Sequence, residues 1–170
     1  MSYNLKNIHE DLPLVKRGTT FSCLRCGRCC KFEVVISESE LKIIEEKYPE
    51  KINEVERIRK YNQISRGLYS LLFSTEKCSE CIFLKNNLCT IHNYKPALCK
   101  LYPFFPLPLN VFSSLYTLNL KDLIVLESKK NGKRYIISYD KNCPGIGKGS
   151  SEPNWSYLVD LQQGSSRFNK

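Results

Sequence analysis

No run of apolar residues in this 170-residue chain is long enough to span a bilayer, so no membrane helix is expected. The opening Met1-Ser-Tyr-Asn-Leu-Lys6 lacks the apolar stretch of a secretory signal, which points to a cytoplasmic protein. No internal repeat recurs along the chain. Neither a Ser/His/Asp arrangement nor a pair of catalytic carboxylates stands out, and of the two histidines His9 has no chemical context. Gly145-Ile-Gly-Lys-Gly149 falls short of the full phosphate-loop pattern and lacks its strand–helix setting, so a flexible turn is expected there. Acidic residues are the minority, 17 against 26 basic, for a formal charge of +9. Such an excess suits an anionic partner, but it speaks first to a solvated, lysine-rich surface. With no interleaved aromatic and basic motif for base stacking, nucleic-acid binding is expected to be weak and salt-sensitive.

What the chain does have is cysteine, nine residues in all. In a cytoplasmic protein these are metal ligands or redox groups sooner than disulfides. The densest stretch is Cys23-Leu-Arg-Cys26-Gly-Arg-Cys29-Cys30, with two overlapping C-x-x-C spacings that let one tight turn aim two soft sulfurs at a metal. Gly27 supplies the positive φ such a turn often needs. Cys29 and Cys30 are adjacent, with Cα atoms roughly 3.8 Å apart. In an extended segment their side chains would point opposite ways. Either the run then feeds two metal sites, or one of the pair is not a ligand. The formal charge counts thiols as neutral, and two four-thiolate sites of net charge −2 each would lower it from +9 to +5.

At this length one domain over 1–170 is expected, with its core at about 19–163. The fold class is α+β: two helices, a short antiparallel sheet or hairpin, and cysteine-rich loops stapled by metal. The lead-in before residue 23 reads as irregular, packed through Leu12, Leu14 and Val15. Lys31–Ile36 suits a short strand, and Ser37-Glu-Ser-Glu40 is a capping box opening a helix with Leu41, Ile44 and Tyr48 on one face. Pro49 starts a second helix facing inward through Ile52, Val55, Ile58 and Tyr61. Leu68–Phe73 reads as a strand. Residues 74–106, broken by prolines, offer only a helical turn near Lys95–Lys100 and need an external staple, which metal supplies. The apolar stretches 111–127 and 133–139 flank Asn131-Gly132, a hairpin signal. Asn154 caps a last helix through Trp155, Leu158 and Leu161.

The order C-x-x-C-G-x-C-C, C-x-F-L, C-x-I, K-P-x-x-C-K-x-Y-P-F and C-P-G-x-G resembles the YkgJ-type cysteine-cluster (CxxCxxCC) family, described as zinc- or iron-chelating and sometimes as containing an iron–sulfur cluster. The resemblance runs from Cys23 to Gly147 and implies metal ligation by Cys23, Cys26, Cys29, Cys30, Cys81, Cys89, Cys99 and Cys143. Spacing alone would pair Cys78 with Cys81; the resemblance selects Cys81 and leaves Cys78 as the odd thiol. The chain departs from the family where lysine replaces arginine at Lys95 and Lys100, which removes planar, bidentate anion recognition there. Eight sulfurs suggest two four-sulfur sites or one cluster with spare thiols. One partition groups Cys23, Cys26 and Cys29 with a later cysteine and sends Cys30 to the rest. His92, three residues after Cys89, has a spacing that can serve the same metal, but a lone histidine is more often exposed or hydrogen-bonded, and eight sulfurs already suffice for two tetrahedral sites.

Cys143-Pro144 and the C-x-x-C-x-x-C run suit an iron–sulfur cluster, and C-x-x-C-G suits zinc. Phe83, Tyr102, Phe104 and Phe105 could form a dry shell that favours the cluster, or equally serve to pack the core. The expected function is metal binding through a four-iron cluster in a redox or cluster-dependent role with a protein or redox partner. The alternative is a zinc-stapled module recognising nucleic acid or an acidic protein.

Overall fold

The computed structural model describes residues 13–74, 79–115 and 120–164. Leu12 and Cys78 lie outside them. The described residues form two compact units, one of residues 24–100 and one of 13–23 with 101–164.

In the 24–100 unit, β1 (Val35–Ser37) leads straight into α1 (Glu38–Lys47). The junction is the expected capping box: Glu40 N donates to Ser37 Oγ at 3.3 Å, and Ser37 N donates to Glu40 Oε2 at 3.0 Å. Two orphan donors at the helix start are thereby satisfied. Leu41 and Ile44 of α1 are buried. Pro49 opens a 3-10 turn (Pro49–Lys51), and α2 (Ile52–Tyr61) follows with Val55 and Ile58 buried. Tyr61, expected on the inner face, is instead exposed beneath the Lys60 ammonium, 5.0 Å from its ring centroid. Arg59 of α2 ties back to Glu45 and Glu38 of α1 at 2.6 and 3.1 Å.

Next come β2 (Gln63–Ser65), β3 (Leu68–Ser70), β4 (Leu72–Ser74) and β5 (Ser79–Cys81). The strand expected over 68–73 therefore breaks at Leu71. β3 joins an antiparallel sheet of order β1-β3-β2, whereas β4 pairs with β5. The Asn62 side chain fixes the break by donating to the carbonyls of both Ser70 and Leu72, at 3.1 and 2.8 Å. A two-residue hairpin joins β6 (Leu84–Lys85) to β7 (Leu88–Cys89), and a 3-10 turn (His92–Tyr94) precedes α3 (Ala97–Leu101). Ile36, Leu41, Ile44, Val55, Ile58, Leu71, Phe83 and Ile91 form the core. Burial of such side chains stabilises by about 2 kcal/mol each.

The other unit is built on a sheet of order β8-β10-β9, from β8 (Phe104–Pro108), β9 (Val125–Glu127) and β10 (Arg134–Tyr139). Pro106 and Pro108 do not break β8, because it is an edge strand and proline costs no ladder hydrogen bond on the outer side. The expected β9–β10 hairpin is present around Asn131-Gly132, with Gly132 at φ 65°. The apolar stretch 111–127 is not of one kind among the described residues. Leu109–Leu115 is a helix, α4, and only Val125–Glu127 pairs; the intervening 116–119 lie outside the described residues. In α5 (Trp155–Gly164) the Asn154 side chain accepts from Tyr157 N at 3.0 Å, and Trp155, Leu158 and Val159 are buried. The lead-in is less irregular than expected, since Val15 N donates to Ile137 O at 2.8 Å and its side chain is buried. Five α-helices, not two, stand among the described residues, with several small antiparallel sheets.

Candidate metal centre

The cysteine run turns at Gly27, held at φ 70°. A Cβ there would stand 2.9 Å from Asn87 O and 3.0 Å from Leu84 Cδ1, so only glycine lets the turn close against the β6–β7 hairpin. Arg28–Lys31 then wind as a 3-10 helix, and Cys30 N donates to Gly27 O at 2.9 Å. This corrects the expectation that Cys29 and Cys30 diverge. At three residues per turn, neighbouring side chains stand about 120° apart rather than opposite, and the two thiols hydrogen-bond each other.

Cys81 ends β5 and Cys89 ends β7. Both come to the same place: Cys30 hydrogen-bonds Cys29, Cys81 and Cys89. The Cys30 hydrogen bond lowers Cys29 to about 6, against burial, with help from the Lys95 charge. The same bond lowers Cys89 to about 7 and also lowers Cys81. Cys30 itself is raised, first by its bond to Cys29. Burial pushes the Cys99 thiol well up, and the negative charge of Cys81, Cys29 and Cys89 adds to the rise, so a fifth sulfur belongs to this neighbourhood.

The remaining expected ligands are placed differently. Cys26 is exposed. Cys23 and Cys143 belong to the other unit, Cys23 exposed and Cys143 buried. There Phe21 bridges Ile146 and Ser22 N donates to Gly145 O at 3.1 Å, which sets Cys23 beside the Cys143-Pro144-Gly145 turn. His92 is lowered by partial burial and by the Lys95 and Arg25 charges. The expected shell aromatics are each described within their own unit. Phe83 lies in the core of the 24–100 unit. Phe104 packs edge-on against Phe21 and Trp155, Tyr102 donates to Asp140 at 2.7 Å, and Phe105 is exposed. Each of these rings serves the packing of its own unit.

Two contributors were not apparent from motif spacing. Lys95 is the cation that offsets the thiolates at Cys29 and Cys89. Glu40 works twice: Oε2 completes the capping box and Oε1 accepts from Ala97 N at 2.9 Å, anchoring the short helix that carries Cys99. Glu40→Ala is therefore expected to lower stability by about 1–2 kcal/mol, read as a urea midpoint, while Glu40→Gln recovers part of it. Equal midpoints for the alanine variant and the parent would show that neither contact carries weight.

Among the described residues no group of three or more His, Cys, Asp or Glu side chains is arranged to hold a metal ion as it stands. In chemistry and number the donor set fits a soft cation: Cys29, Cys81 and Cys89 are within hydrogen-bonding reach of Cys30, and four thiolates suit zinc or iron.

No curated protein and no solved structure matches the chain. A family model described as "CxxCxxCC: Putative zinc- or iron-chelating domain" matches residues 22–144. The chain belongs to the CxxCxxCC family, whose metal is given as zinc or iron.

Proposed function

We propose that the protein binds one metal ion, zinc, through Cys29, Cys30, Cys81 and Cys89, and that this ion staples the cysteine-rich loops of a binding module. The observation that carries this reading is the convergence of Cys29, Cys81 and Cys89 on Cys30, each within hydrogen-bonding reach of it. A tetrahedral site with zinc–sulfur bonds of about 2.3 Å sets its sulfurs about 3.8 Å apart, which is hydrogen-bonding distance for thiols. A four-iron cluster interposes iron and sulfide between its cysteines and needs them farther apart.

Zinc would supply charge and rigidity there without redox chemistry. The chain supplies the rest. Gly27 lets the turn approach the hairpin, the 3-10 winding brings Cys29 and Cys30 to one side, and Lys95 offsets the net negative charge of four thiolates. Anaerobic purification followed by metal and sulfide analysis tests the reading. A colourless protein with about one zinc per chain is expected. A brown protein containing iron and acid-labile sulfide would overturn it in favour of a cluster.

A further inference from the structure

Within the 24–100 unit, α1 and residues 94–100 enclose a cavity of about 160 Å³. Its apolar wall is Ile43, Tyr94 and Pro96, and Ile43 and Tyr94 are 45% and 48% exposed. Two large apolar side chains that the unit leaves to solvent thus line one cavity. Tyr94 is held in place, since its N–H donates to Tyr48 Oη at 3.3 Å and the two rings meet edge-on with centroids 5.9 Å apart. The charged lining is Glu40, Lys95 and Lys100. Both oxygens of Glu40 are engaged, Oε1 by Ala97 N at 2.9 Å and Oε2 by Ser37 N at 3.0 Å. Lys47, whose ammonium lies 5.8 Å from the Tyr94 ring centroid, is matched by Glu46 at 3.2 Å. Lys95 and Lys100 make no ion pair among the described residues. An apolar wall with a few charged groups beside it is the usual make-up of a small-molecule site.

We infer that this cavity binds a small organic carboxylate whose apolar body is the size of one six-membered ring. A cavity of about 150 Å³ takes one benzene ring, so the volume here admits the body and leaves the carboxylate at the mouth. The body covers Ile43, Tyr94 and Pro96, and the carboxylate answers the charge of Lys95 and Lys100. A phosphate fits less well, because it needs many donors. Pro96 has no N–H to give, and the N–H of Ala97 is already given to Glu40. A cationic ligand would meet two ammonium groups, with the one carboxylate of the lining already engaged. Lys95 also bears on the thiols of Cys29 and Cys89, so Lys100 is the position that tests the cavity by itself. The inference does not depend on which ion those thiols bind.

The test is a titration of the isotope-labelled full chain, as purified, with phenylacetate at constant ionic strength, followed by NMR. Saturable shifts over 40–47 and 94–100 are expected, with a Kd on the order of 1 mM, as suits a ligand of this size. Two further probes separate the parts of the ligand. Phenylacetamide keeps the ring and lacks the charge, and acetate keeps the charge and lacks the ring; each should bind about threefold or more weakly. Lys100→Met should weaken phenylacetate about threefold, the scale of an exposed charge pair. Ile43→Ser should do the same through lost apolar contact. Lys129→Met, at an exposed lysine of the other unit, removes the same charge and should leave binding unchanged at moderate salt. Shifts centred elsewhere, equal binding of phenylacetate and phenylacetamide, or equal weakening by Lys100→Met and Lys129→Met would overturn the inference, as would no saturation at concentrations on the order of 20 mM. Each variant is checked for an unchanged spectrum outside the cavity, and Lys100→Gln replaces Lys100→Met if that variant misfolds.

Discussion

Cys30→Ser is expected to lose its metal altogether. Cys30 lies within hydrogen-bonding reach of Cys29, Cys81 and Cys89, so its loss removes a ligand and also a centre that holds the remaining thiols together. A hydroxyl is a hard donor and a poor substitute for thiolate. Metal affinity should fall by roughly two orders of magnitude or more, since the binding energy of a structural site, about 10–16 kcal/mol for zinc, is shared among few ligands and coupled to folding. Cys81→Ser should behave alike. Cys78→Ser should keep full metal content, with a stability change no larger than that of a small side chain, about 1 kcal/mol. Metal analysis after dialysis against a chelator reads all three. Hydrogen exchange gives a second readout: in Cys30→Ser, protection should fall most over 79–101 and least in α1, α2 and the β1-β3-β2 sheet, which supply Ile36, Leu41, Ile44, Val55, Ile58 and Tyr69 to the core. Equal metal loss in the Cys78 and Cys81 variants would move the site to a C-x-x-C pair at 78 and 81.

Some of this was legible in the sequence because the signals are local. Ser37 and Glu40 are three residues apart and cap each other within one turn, so the start of α1 needs nothing from the rest of the chain. Asn131-Gly132 marks its hairpin for the same reason, a positive φ at Gly132. The family pattern was legible as spacing. What was missed depends on partners far along the chain. Leu109–Leu115 is apolar enough for either strand or helix, and a short apolar run does not distinguish them. α3 is five residues long and takes support at Ala97 from Glu40, fifty-seven positions earlier. Spacing alone reads the Cys29–Cys30 pair as extended, whereas Gly27 turns the chain there into a 3-10 helix. Lys95 showed in the sequence only as a departure from arginine; its charge mattered once Cys29 and Cys89 were placed near it.

Gly149→Ala is expected to be the most damaging single methyl that can be added to the 13–23 and 101–164 unit. The segment Gly145–Gly149 looked like a flexible turn, but it is packed. Gly147 N donates to Thr20 O at 2.8 Å, and Lys148 N donates to Gly145 O at 3.3 Å. A Cβ at Gly149 would stand 2.3 Å from Phe21 O, 2.6 Å from Phe21 C and 2.7 Å from Phe21 N. All three are backbone atoms, so no rotamer change relieves the clash and the two strands must part. Parting them pulls on Phe21, whose ring packs edge-on against Phe104 with centroids 5.2 Å apart. The loss should reach about 3 kcal/mol, the upper range for overpacking, or a fall in melting temperature of about 10 °C for a chain of this size. Gly132→Ala is the matched comparison. It sits at φ 65° with nothing within 4 Å of the added carbon, so it carries conformational strain alone, about 1 kcal/mol. Thermal unfolding of the two variants side by side decides the matter. If Gly149→Ala melts no lower than Gly132→Ala, the close approach of Gly149 to Phe21 is not a constraint on the fold.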